Sequence, residues 1–101
     1  MKIALSQLNY IIGDIEGNTE RIVAEIKHAE QDGAELVVFS ELAVCGYPPK
    51  DLLDYPSFIN RCEAALEIIR QNTLSTAVLV GAPACSRLEK GKKLYNSAYF
   101  F

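Results

Sequence analysis

"ELVVFS", residues 35–40, restricts the fold more than any other stretch, because Leu36, Val37, Val38 and Phe39 leave neither face of a strand polar. A strand of that kind is covered on both sides and belongs in the interior of a sheet. "TAVLVGAP", residues 76–83, has the same character. The segments around them read as helices. From about Asn18 to Asp32, the residues Ile22, Val23, Ile26 and Ala29 fall on one face, Asn18 or Thr19 can cap the first amides, and Gly33 suits a left-handed stop. A second helix opens near Pro56, carries Phe58, Ile59, Cys62, Ala65, Leu66 and Ile69 in helical register, and ends near Gln71 or Asn72.

"KIALSQL", residues 2–8, alternates well enough for an opening strand. After the third strand, the eight residues "SRLEKGKK" are too few for a crossover helix before "LYNSAYFF", so the last two strands are expected to form an antiparallel hairpin. The order is β-α-β-α-β-β, an α/β fold with a mixed sheet. Phe100 and Phe101 fall inside an apolar strand. Helices are expected over only some of the surface these strands expose, which reads as the beginning of a larger domain.

Several function classes are excluded early. The net charge is −3, and Lys90, Lys92 and Lys93, set around Gly91 and Glu89, read as a solvated turn rather than a nucleic-acid surface. No apolar run approaches the ~20 residues that span a bilayer, and Ser6, Gln7 and Asn9 interrupt any signal-peptide core, so a cytoplasmic location is expected. Cys45, Cys62 and Cys85 are odd in number and lack CxxC spacing, which suggests free thiols and no metal site. His28 lies mid-helix among polar neighbours and offers no partner for a nucleophile. Gly13, Gly17 and Gly33 form no phosphate-cradling pattern.

Glu41 stands at the carboxyl end of the interior strand, where the loops of open α/β sheets converge on a crevice. Partial desolvation by Val38, Phe39 and Leu42 would suit its carboxylate to take and return a proton near neutral pH. The alternative is that Glu41 caps a neighbouring helix or pairs with an arginine.

"SELAVCGYPPKDLL", residues 40–53, resembles almost position for position the segment after the second strand of the carbon-nitrogen hydrolase (nitrilase) superfamily. It looks most like the glutaminase domains of glutamine-dependent NAD(+) synthetases. "KIALSQLNYIIGDIEGN", "VLVGAP" and "LYNSAYFF" resemble the opening, third and fourth strands of that family. The resemblance implies a nitrilase-type αββα sandwich, with residues 1–101 as the N-terminal portion of its glutaminase domain.

It also implies a Glu, Lys, Cys triad that hydrolyses glutamine. Glu41 matches the family's catalytic glutamate, and Tyr47 matches a tyrosine near the substrate; Tyr47 reads equally as a loop aromatic packed under Pro48 and Pro49. The triad's lysine and cysteine follow "YNSAYFF" in the family and do not map here, so the three cysteines and Lys92 and Lys93 read as non-catalytic and this chain alone as inactive. ATP, Mg and deamido-NAD belong by resemblance to a synthetase domain that these residues do not include, and homo-oligomers are implied for the complete protein. A free-standing amidase or carbamoyl hydrolase of the same superfamily, or a non-catalytic association module, remain the alternatives.

Overall fold

A computed structural model describes residues 1–85 and 94–101. Four strands, β1 (Ile3–Leu5), β2 (Leu36–Val38), β3 (Ala77–Cys85) and β4 (Leu94–Phe100), form one sheet in the order β1-β2-β3-β4. The first three are parallel and β4 runs antiparallel to β3. This is the mixed sheet the sequence predicts. The connection at residues 86–93, with Lys90, Lys92 and Lys93, lies outside the described residues.

Helix α1 (Ile15–Gln31) joins β1 to β2, and α2 (Pro56–Gln71) joins β2 to β3. Parallel crossovers are right-handed, and the strands advance in one direction, so both helices fall on the same face of the sheet. A bidentate ion pair, Arg61 to Glu16 at 3.1 and 2.5 Å, ties the two helices together. That contact holds the Glu16 carboxyl below its ordinary value.

Helix α1 starts three residues before the expected Asn18. Asp14 is its cap, accepting from the Gly17 amide at 3.1 Å. Gly17 and the apolar Ile15 obscure that start in the sequence, since glycine is a poor helix former. Its end is as expected: Gly33 takes φ +76°, and the Gly33 and Ala34 amides return to the Glu30 and Ala29 carbonyls. In α2, all six residues read as apolar register are buried, and burial of a residue such as Phe58 or Ile69 contributes about 1.5–3 kcal/mol.

Alternation sorts the sheet residues. Ala4, Val37, Val78, Val80, Tyr99 and Phe101 lie toward the helices and pack in or against the core. Leu5, Val38, Leu79 and Phe100 align across the other face by register. No described helix covers that face, and Leu5 is 76% and Phe100 70% exposed. The described residues therefore supply one helix layer and one sheet layer of the four-layer sandwich. Strand β1 is also shorter than "KIALSQL", because Ser6 donates to Val38 at 2.9 Å and the chain then leaves the ladder.

Candidate active site

Beyond Val38 the chain runs along β3 for one more residue, Phe39 donating to the Leu79 carbonyl at 2.9 Å. Ser40 and Glu41 are exposed, and then Leu42 to Gly46 are all buried. What reads in sequence as a surface loop is a core segment. Leu42 takes φ +49°, a left-handed conformation that costs a residue with a side chain about 1–2 kcal/mol. Its surroundings hold it there. Gly46 donates to the Leu42 carbonyl at 2.9 Å, Val44 to Gly81 at 3.3 Å, and Gly13 to Cys45 at 2.9 Å.

Two glycines permit these approaches. Gly46 has φ +80°, and a Cβ there would lie 2.8 Å from the Ile12 Cα. At Gly81, within β3, a Cβ would lie 2.6 Å from the Leu42 amide nitrogen, so the glycine admits the backbone that carries Glu41. Asn18 completes the frame. Its amide accepts from the Ile11 N–H at 2.9 Å and donates to the Ile11 and Val44 carbonyls at 2.8 and 3.2 Å. Buried completely, it latches the loop after β1 to the loop after β2.

The Glu41 carboxylate is not desolvated as the sequence reading expects. Phe39 and Leu42 are buried while Glu41 is exposed. Its Oε1 accepts a hydrogen bond from Asn96 Nδ2. Among the described residues it neither caps a helix nor pairs with an arginine: α1 is capped by Asp14, α2 has no side-chain cap, and Arg61 and Arg70 pair with Glu16 and Glu67. Tyr47 is 64% exposed. It is not packed under the prolines, Pro48 being exposed and Pro49 buried.

Cys45 and Cys62 meet where the loop packs on α2, and both are fully buried. The hydrogen bond between the thiols, together with burial, raises Cys62 far above an ordinary thiol. The same bond, opposed by burial, lowers Cys45. Its Sγ lies 3.4 Å from the Gly46 carbonyl and 3.8 Å from that of Leu42. With no exposure, neither sulfur is placed to attack a substrate. Of the lysines, Lys2 is at the amino end of β1 and donates to the Asp32 carbonyl at 2.6 Å; Lys92 and Lys93 are outside the described residues. His28 falls in the last turn of α1, exposed beside Glu25.

A groove of about 470 Å³ lies between the helices, lined by Thr19, Val23, Ile68 and Asn72 among others, and Glu41 takes no part in it. Among the described residues no group of three His, Cys, Asp or Glu could hold a metal, and no helix is long and apolar enough to cross a membrane. The site thus offers a carboxylate at the strand end, held by Asn96. Sequence reasoning missed Asn18, Gly81 and Asn96 as its supports. Asn96 carried one available signal: it is the only polar residue at the alternate positions Leu94, Asn96, Ala98 and Phe100 of β4.

The chain is 47% identical over 100 residues to the glutamine-dependent NAD(+) synthetase of Synechocystis, a match covering 95% of this chain and 18% of that protein. Its structure superposes on glutamine-dependent NAD+ synthetase from Acinetobacter baumannii, solved with ADP, with a TM-score of 0.87 and 31% identity over 98% of this chain and 18% of that one. An amidase from Nesterenkonia shares the fold at a TM-score of 0.71 and 24% identity, over 83% of this chain and 32% of the amidase. The carbon-nitrogen hydrolase family model matches residues 2–101. With nearly every residue matched and Glu41 set at the end of an interior parallel strand, the chain belongs to the carbon-nitrogen hydrolase family.

Proposed function

We propose that residues 1–101 are the N-terminal portion of the glutaminase domain of a glutamine-dependent NAD(+) synthetase, with Glu41 as general base and Tyr47 beside the bound glutamine. The observation that carries the reading is the 47% identity with a protein of that name across 95% of this chain. The placement of Glu41 supports it: an exposed carboxylate on a loop whose neighbouring backbone is pinned at Gly81 and Gly46.

In this mechanism a cysteine supplied outside these residues attacks the side-chain amide of glutamine. Glu41 takes the thiol proton and passes it to the departing ammonia, and a lysine, also from outside, supports the charge of the tetrahedral intermediate. Ammonia then serves the ATP-dependent amidation of deamido-NAD to NAD in a separate synthetase domain. By the same resemblance, ATP and Mg serve that synthetase domain. We place the complete protein in the cytoplasm, as a homo-oligomer.

Glu41→Gln in the full-length protein tests the assignment. It is expected to lower glutamine-driven NAD synthesis by about 10²–10⁴-fold while synthesis from added ammonia continues. Equal loss with both nitrogen sources would make Glu41 structural.

A further inference from the structure

We infer that Asn96 is a positioning residue for Glu41, holding one carboxylate oxygen so that the other faces the reacting proton; the inference rests on the reading of Glu41 as general base. A carboxylate on an exposed loop can turn freely about its side-chain torsions. A general base must instead keep one oxygen within about 2.6–3.2 Å of the proton donor's heavy atom. Asn96 supplies the constraint by donating from Nδ2 to Glu41 Oε1. The orientation of the amide follows from chemistry, because an ionised carboxylate only accepts. Oε2 is then the oxygen left to receive the proton.

The fold explains why Asn96 is in reach. In the β3–β4 hairpin it lies opposite Pro83, two residues beyond Gly81. Gly81 is where the backbone of residues 40–42 presses on β3. One hairpin therefore fixes the residue twice, at its backbone through Gly81 and at its carboxylate through Asn96. By alternation Asn96 shares its side of β4 with Leu94, Ala98 and Phe100. Asn96 is the polar exception, and its bond to Glu41 spans 55 residues of chain.

The test uses Asn96→Leu, which keeps the branched shape but removes the donor, and Asn96→Asp, which keeps the shape but presents a second carboxylate. Both are made in the full-length protein, with glutamine-driven rates normalised to ammonia-driven synthesis by the same preparation. We expect kcat for glutamine to fall by about tenfold to 10²-fold, the scale of a misplaced catalytic group, with KM little changed. Asn96→Gln, which retains a donor on a longer arm, should recover some of the loss. Wild-type kcat in both the Leu and Asp variants, a loss confined to KM, or equal loss with both nitrogen sources would overturn the inference. Should Asn96→Leu fail to fold, the Asp variant decides. Failure of the base assignment is separate: it shows as glutamine-driven synthesis surviving in Glu41→Gln, whereas a dead Glu41→Gln beside fully active Asn96 variants sinks only the role of Asn96.

Discussion

Asn18 shows what a single buried amide can do for a site it never touches. Three of its hydrogen bonds join Ile11 to Val44, and so set the depth at which the segment after Glu41 enters the core. Asn18→Ala would leave the Ile11 N–H and the Ile11 and Val44 carbonyls without these partners. The expected loss is on the order of 1–3 kcal/mol, read as a lower urea midpoint at unchanged slope. From the sequence, Asn18 or Thr19 reads as the helix cap. Asparagine and aspartate are equally good caps, and only the tertiary position of Ile11 and Val44 gives the cap to Asp14 and the latch to Asn18. Glu41 itself was legible, because an acidic residue at the end of an apolar run is a local pattern. Its exposure was not, since it depends on how the loop is placed, with Glu41 exposed and Leu42 to Gly46 buried.

Among the elements, α2 was legible to the residue because its apolar period is written locally, in Phe58 through Ile69. The mixed sheet was legible for a related reason: an eight-residue connection leaves little choice but a hairpin. The 3-10 helix Lys50–Asp54 and the burial of residues 42–46 were not, because both depend on what the rest of the chain places beside them. Strand β3 has a role that its apolar pattern concealed. Its middle residue, Gly81, is the seat of the Glu41 loop, so Gly81→Ala should displace that loop rather than merely stiffen the strand. The clash is with backbone at 2.6 Å, and overpacking of this kind costs about 1–3 kcal/mol. A lower melting temperature together with a fall in glutamine-driven, but not ammonia-driven, synthesis in the full-length protein is the expected pair of results. A lower melting temperature alone would separate Gly81 from the site.

As a whole, the molecule is a sheet with helices on one face and an apolar row, Leu5, Val38, Leu79 and Phe100, on the other. Large uncovered apolar surfaces associate. The 101-residue chain made alone should therefore sediment as oligomers or bind a hydrophobic dye as a loosened state. Replacing Leu5 and Phe100 with polar residues should reduce that association, and a dilute wild-type chain that stays monomeric and dye-free would show that the open face is harmless. The joint of Cys45 and Cys62 has a different use. Because both sulfurs are sealed between the loop and α2, an alkylating reagent must wait for that seam to part. When reclosing outpaces alkylation, the labelling rate divided by the reagent's rate with an unshielded thiol gives the fraction of time the seam stands open, making the two sulfurs an internal clock for breathing at the base of the Glu41 loop.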